Sequence, residues 1–435
     1  MADAVTNFAA LSTDAPNVWI AQQMYRLAER RLQLGQWATK HTLPQRFGKT
    51  LRTVRYKRLT LPVTTLTEGT PPDAVALAVE NVDVTVEQWG IVVLLTDVGL
   101  ITTTHPALQI AIERTALAMG EMLEREMANV LMAGTNVFYI GTAGRNNIAA
   151  GDKLNTLGVL KMTANLRSAG AGDFEGGLYG GVLAPQQEAD LLQADTTFQN
   201  ASNYANVKAL QYGEIGVWMG VRWVRGNFLP VFVGTAAPDT AAETAYKPQV
   251  TAVDGGGTIT SATNFKFQVV YRDKTTDKEV RISQPSANIA SAATGNNESF
   301  TVDVAASDLT NYVYDVYMSA AGGAGSLFKV KSRIATVSTT ITAEPAGTEA
   351  TAPVAPASGR EVFVAWVFGK DGFGRVELSG MSLQSYITPA GASYSNPLAQ
   401  GRKVGSKIMW KSFIIDNAFF ARIETASGFA ATIPA

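Results

Sequence analysis

Residues 40–113 sort their charges into two blocks, and that order restricts what the chain can build. Lys40, Arg46, Lys49, Arg52, Arg55, Lys57 and Arg58 stand between positions 40 and 60 without an Asp or Glu. Glu68, Asp73, Glu80, Asp83, Glu87, Asp97 and Glu113 then stand between 59 and 113 without a Lys or Arg. The basic block, from Thr50 to Val63, is rich in Thr, Val, Leu and Tyr. The acidic block alternates Val82, Val84 and Val86 with Asp83, Thr85 and Glu87 before the apolar run Ile91–Leu95. Both patterns predict strands. The link Thr67–Asp73, with Gly69, Pro71 and Pro72, predicts a turn-rich tip. A long two-stranded ribbon follows, and a ribbon alone is marginal in water, so it must lie on something.

Two readings of the charge sorting stand side by side. The two strands can neutralise each other across one hairpin, at a few tenths of a kcal/mol per pair. Alternatively the ribbon meets charged neighbours. On the second reading Arg46, Lys49, Arg52, Arg55, Lys57, Arg58, Glu68, Asp73, Glu80, Asp83 and Glu87 are candidate intersubunit contacts.

After Thr104 and Pro106 a helix of about 28 residues runs to Gly134, with Leu108, Ile112, Ala116, Met119, Leu123, Met127 and Val130 on one stripe. Glu113, Glu121, Glu124 and Arg125 lie off that stripe. At 1.5 Å per residue such a helix is roughly 40 Å long, the length of a domain. Upstream, Asp14 and Pro16 start a shorter amphipathic helix carrying Ile20, Met24, Leu27 and Leu34 and ending near Gly35.

Residues 152–235 mix helix and strand signals: a helix over Lys153–Ala169, a Gly-rich turn, a strand at Leu178–Leu183 and a helix from Pro185 to Ala194. Between Ala236 and Ser358 the texture changes to Ala, Thr, Ser, Gly and Val. Strands alternate at Phe265–Tyr271, Phe300–Val304 and Tyr312–Met318, with turns at Asp273–Asp277, Gly295–Asn297 and Gly322–Gly325. That is the pattern of an antiparallel β-sandwich. Its flanks, Ala236–Asp239 and Pro353–Pro356, read as hinges. The α/β texture returns beyond Ser358 with strands at Glu361–Phe368 and Arg375–Leu378 and a last strand or pair over Val404–Ile423, so the sandwich is inserted rather than appended. The chain divides as 1–45 (N-terminal arm), 46–100 (ribbon), 101–151 (long helix), 152–235 (α/β region), 236–358 (insert) and 359–435 (return).

Chemistry is scarce. The chain has no cysteine and two histidines, His41 and His105, which removes thiol nucleophiles, disulfides and most zinc or general-base schemes. His105 reads as a helix-start residue and His41 as a polar surface group. Gly48-Lys49-Thr50 resembles the end of a phosphate loop, but Leu43 stands where that loop needs a glycine. No cofactor or metal is expected. A net charge of −1 argues against bulk attraction to nucleic acid. Met1–Asn7 has no basic stretch leading an apolar one, and no window reads as a membrane span. Charged residues are only 17% of the chain, against roughly 25% in an average soluble domain, which suggests surface covered by other copies.

Two late stretches add specificity: Val367–Gly374, and Pro397–Gly401 running through Trp410-Lys411, Asp416-Asn417 and Arg422–Thr425. With them, the order of arm, ribbon, long helix, α/β region and late strand return resembles the major capsid proteins of tailed bacteriophages. The resemblance covers about 310 residues, everything outside the insert. Met409 departs from it, since a glycine is usual before the Trp-Lys pair. The resemblance implies an α+β, Hong Kong 97-like capsid fold: N-arm, extended β-ribbon loop, spine helix at Pro106–Gly134 and axial α/β domain, with an inserted all-β, immunoglobulin-like sandwich of fibronectin type III flavour. It implies a non-enzymatic coat protein, made in a bacterial cytoplasm and located in the virion. Such a protein assembles with itself into hexamers and pentamers and contacts packaged double-stranded DNA non-specifically, with portal, scaffold or decoration proteins as further partners. Some relatives cross-link subunits through lysine; Leu66–Val79 has none, so that chemistry is not carried over. A cell-surface or envelope-layer adhesin is the alternative, and it would need an export signal.

Overall fold

The computed structural model describes residues 33–56, 59, 65, 74–96, 107–141, 144–194, 214–226, 228–292, 298–388 and 401–429. The helix expected from Asp14, the ribbon tip at 67–73, His105 and the turn at 295–297 lie outside them. The chain forms two compact units, one of Met1–Leu131 with Asp371–Asp416 and one of Met132–Lys370 with Asn417–Ala435. The C-terminal return is thus shared: Glu361–Phe368 and Phe420–Thr425 serve the second unit, and the strands between them serve the first.

The first unit is organised by the strand Gly401–Ile414. It pairs antiparallel with Glu87–Thr96 over ten residues, from Gly401 opposite Thr96 to Trp410 opposite Glu87. On its other side it pairs with Gln384–Thr388 and with Phe373–Leu378. Thr39–Leu43 adds a parallel strand at the margin. Side chains of a strand alternate between faces, and one face of this sheet buries Val404, Ile408 and Trp410. His41 sits half-buried on the marginal strand with its ring 5.7 Å from that of Phe413, so it is a packing residue and not the simple surface group its polarity suggested.

Helix α1 spans Ala107–Met132. Its buried stripe is Ala111, Thr115, Ala116, Met119, Leu123, Glu124, Met127, Ala128 and Leu131. Leu108, Ile112 and Val130, expected on that stripe, are half-buried. The larger departure is Glu124, which the helical pattern put on the polar side but which is 1% exposed. Its carboxylate oxygens accept the backbone N–H groups of Gln33 and Leu34, each at 3.1 Å. Those N–H groups stand at the start of the short 3-10 turn Leu34–Gln36, where a helical turn cannot pair its first donors internally. A charge-assisted pair of bonds therefore fastens the chain where the N-terminal segment enters.

In the second unit, strand Tyr179–Leu183, helix α3 (Pro185–Ala194) and strand Val221–Arg225 follow in order, and the two strands are parallel. Helix α2 (Thr156–Ser168) starts later than expected because the Asn155 side chain accepts the Gly158 N–H at 3.0 Å as an N-cap. Val159, Met162 and Leu166 of α2 join Tyr179, Leu183, Trp223, Val367 and Ile423 in one core. Each such side chain contributes about 1.5–3 kcal/mol by leaving water.

Residues 249–341 supply a second core, in which Val250, Phe300, Val302 and Ile341 of a three-stranded sheet meet Phe267, Val269, Tyr271, Tyr312, Tyr314 and Val316. The strands facing that small sheet do not form a separate one. Glu279–Ser283 pairs in parallel with Val231–Thr235, so eleven strands run as one sheet through both regions. The joint is tight: a Cβ on Gly234 would lie 2.1 Å from the Ala357 carbonyl oxygen. The flanks that read as hinges are held by hydrogen bonds. Asp239 pairs with Gln249, and the carbonyls of Pro353, Val354 and Pro356 accept from Gln268 (2.9 Å), Arg145 (3.1 Å) and Gln284. Proline and alanine mark where the texture changes, but they did not reveal these long-range partners.

Candidate functional site

The ribbon forms from Thr50–Tyr56 and Val79–Thr85, in a register that sets Arg52 opposite Asp83 and Arg55 opposite Glu80. Arg52 makes a two-pronged contact with Asp83 at 2.6 Å through each nitrogen, and Arg55 meets Glu80 at 2.8 Å. Arg55 also bonds Asp416, and Glu87 pairs with Lys411 at 2.9 Å. The hydrogen bond from Arg52 holds the Asp83 carboxyl below the usual carboxylate range. Of the eleven residues singled out by charge, five are thus paired within this copy. Arg46, in a left-handed backbone conformation, and Lys49 stand exposed at the ribbon base. Lys57, Arg58, Glu68 and Asp73 lie outside the described residues. Water screens exposed pairs of this kind, so they align the hairpin more than they stabilise it.

The register also sorts the apolar residues, which charge alone did not reveal. Leu51, Val82 and Val84 point inward and share a cluster with Val86, Leu43, Val376, Met409 and Phe413, which seats the ribbon base on its own sheet. On the outward side Val54, Tyr56 and Val79 are open to solvent, and Val75 and Leu77 continue the pattern toward the tip. Tyr56 is directly opposite Val79. Beside the seated ribbon, the same sheet exposes Val92 (65%), Leu94 (59%) and Tyr386 (47%). Contiguous apolar surface of this sort marks interaction sites more often than scattered single residues do. The signal was present in the consecutive apolar run Ile91–Leu95, because a strand apolar at every position needs cover on both faces.

The second unit buries a small cluster of charged side chains. Glu424 is fully buried and takes two bonds of 2.7 Å from Arg145, while Arg422 lies 3.1 Å away on its other side. The Arg145 guanidinium also covers the Phe232 ring at 4.1 Å. Arg422 donates to the Met132 carbonyl. Burial, and then the charge of Glu424, push the Tyr139 hydroxyl above its ordinary range. With both carboxylate oxygens taken by guanidinium groups, this is a structural hub. No group of three or more His, Cys, Asp or Glu side chains able to hold a metal occurs among the described residues, and no helix among them is long and apolar enough to cross a membrane.

No protein-family model matches the sequence, and no curated protein does. Solved structures do. The capsid of cyanophage Pam1 is similar at a TM-score of 0.50 and 13% identity, over 92% of this chain and 93% of that one. The capsid of Ralstonia phage GP4 is similar at a TM-score of 0.49 and 11% identity, over 91% of this chain and 88% of that one. An identity this low carries no residue-by-residue roles, but the likeness to the Pam1 capsid spans nearly the whole of both chains: this chain has the fold of a phage capsid subunit.

Proposed function

We propose that the protein is the major capsid protein of a tailed phage, with a Hong Kong 97-like architecture, assembling with itself into the hexamers and pentamers of an icosahedral shell around double-stranded DNA. The observation that carries this reading is the full-length similarity to the Pam1 capsid. It is supported by the unit that keeps apolar residues uncovered on both its ribbon and its sheet. On this reading function resides in surfaces: many weak contacts, repeated by symmetry, make a stable lattice. Residues 46–100 act as the intersubunit arm, and 236–358 form an immunoglobulin-like insert displayed outward. The protein is made in the bacterial cytoplasm and ends in the virion, where portal, scaffold or decoration proteins meet it.

Electron microscopy of the purified full-length protein tests this directly. Closed shells or capsomer-sized rings are expected. A monodisperse monomer at every concentration and salt condition, or extended flat layers, would overturn it.

A further inference from the structure

We propose that Asp254-Gly255, in the turn after strand Gln249–Val253, is a self-modification site: the buried Glu298 carboxylate is the base that lets the Gly255 nitrogen attack the Asp254 side chain and rearrange the link to isoaspartate. The reaction takes place within one copy and does not depend on the capsid reading.

Strand Gln249–Val253 ends with Val253 opposite Ser299, and Asp254-Gly255-Gly256-Gly257 then turns past Glu298. Gly255 and Gly256 take left-handed φ values of 84° and 79°, which glycine adopts at no steric cost. The turn is held at three points. The Gly255 N–H donates to Glu298 Oε2 at 3.4 Å, and the Ser299 hydroxyl donates to the Gly255 carbonyl at 2.8 Å. Gly257 lies so close that a Cβ there would stand 2.1 Å from the Glu298 carbonyl oxygen. Glu298 is fully buried, and its Oε1 has no hydrogen-bond partner among the described residues. A buried carboxylate with an unused oxygen carries a desolvation cost that packing alone does not offset. Asp254, by contrast, is exposed.

A general base must lie within hydrogen-bond reach of the proton it removes, and Glu298 Oε2 is the acceptor of the proton that the attacking nitrogen has to lose. Nothing lies within 4 Å of where a Gly255 Cβ would stand, so the ring has room to close. In the first step the Gly255 nitrogen bonds to Asp254 Cγ, its proton passes to Glu298, and the C–OH bond of the protonated Asp254 carboxyl breaks. Glu298 returns the proton to the departing hydroxide, which leaves as water. In the second step water adds to the Asp254 main-chain carbonyl carbon and the bond from that carbon to the Gly255 nitrogen breaks. The main chain then runs through Cγ, and the former main-chain carbonyl becomes the free carboxylate. Bulk water is the only co-reactant. The product lengthens the main chain by a methylene at the strand exit, so this turn alters as the protein ages. The second Asp-Gly pair of the chain, Asp371-Gly372, is held differently. Asp371 is half-buried and accepts the Thr39 hydroxyl at 2.9 Å, while Gly372 is buried with its carbonyl taken by the Ile415 and Asp416 N–H groups, each at 3.1 Å.

The two pairs allow a test within one chain. Full-length native protein is incubated in heavy-oxygen water near neutral pH, and its peptides are read by mass spectrometry with fragmentation that distinguishes isoaspartate. Labelled isoaspartate at 254 should accumulate about tenfold or more faster than at 371. It should also form faster than in the same chain held in urea, where no fold brings Glu298 to Gly255. The Glu298→Gln variant keeps the side-chain shape but not the base. It should slow the native reaction at 254 by about tenfold and leave the rate in urea unchanged, with circular dichroism confirming its fold. A native rate at 254 no faster than the rate in urea would overturn the proposal, and that comparison uses the wild type alone. Equal native rates in the wild type and a folded Glu298→Gln variant would overturn it as well.

Discussion

Two sheets of this molecule treat their faces in opposite ways. In the second unit every residue of Tyr312–Ser319, and all but the first of Glu361–Phe368, is buried, so both faces are used within the copy. In the first unit no residue of Glu87–Thr96 is buried; half-buried and exposed positions alternate along it. All three strands are rich in apolar residues, so composition does not distinguish them. What differs is the supply of cover: one sheet has two cores and a joint between them, and the other has its own ribbon over only part of one face. The first arrangement makes a self-sufficient body. The second makes a body with a remaining free-energy gain for whatever covers it.

The harshest way to break this contrast is to remove 236–358. If the second unit is self-sufficient only as a whole, deletion exposes the edge of Val231–Thr235, a strand buried at four of its five positions, and unpaired apolar edges aggregate. The expected product is insoluble protein, read by sedimentation after lysis; a soluble, shell-forming deletion would show the insert to be mere decoration. Next in size is Glu424→Ala. It leaves Arg145 and Arg422 buried without their shared counter-charge, a loss of about 3–5 kcal/mol. Urea unfolding should register it. The double change to apolar residues at Arg145 and Glu424 should recover much of the loss, because paired removal leaves no orphan charge.

Much of this contrast was legible in the chain, and the gaps have a common cause. Local pattern fixed the elements well: Glu361–Phe368 and Pro185–Ala194 occur with the bounds their residues suggested. Period and turn chemistry are properties of neighbours in sequence. Glu124 was misplaced because its burial depends on two N–H groups some 90 residues away. The partners that hold Pro353–Pro356 were hidden for the same reason, since Arg145 and Gln268 are remote from it in sequence. At the ribbon, charge was the conspicuous signal, yet cross-strand pairing consumes much of it. The apolar residues between the charges were the better guide.

A pH experiment sharpens the contrast within the second unit. Asp315 is buried between Arg272 and Lys329, and it also accepts the Arg333 N–H at 2.8 Å. Burial pushes its carboxyl up, but that backbone N–H and the two cations outweigh burial and hold it below the usual range. Glu279 and Tyr317 are the other titratable groups around Arg272 and Lys329. A carboxyl whose folded pKa is depressed stabilises the fold above its unfolded value, about 3.9, and that stability is lost as pH falls through the folded value. Melting temperature should therefore drop below about pH 4. The Asp315→Asn protein should melt lower at neutral pH and show a flatter acid limb. An unchanged acid limb in that variant would place the acid sensitivity elsewhere.

The smallest effect is expected where the sequence looked most eventful. If the Arg52–Asp83 pair serves only to align the hairpin, exchanging the two as Arg52→Asp with Asp83→Arg keeps the bond and reverses its direction. Stability should then change little, because both side chains are exposed to water, and assembly should be unaffected. Either single change alone sets like charges opposite each other and costs a similar small amount. If the sorted signs instead meet a neighbouring copy, the exchanged protein folds normally but assembles poorly, and its defect weakens with salt as screening takes hold. Light scattering at two salt concentrations separates the outcomes. The apolar face of the ribbon predicts the first, because contacts made by Val54, Tyr56 and Val79 do not depend on which strand carries the plus sign.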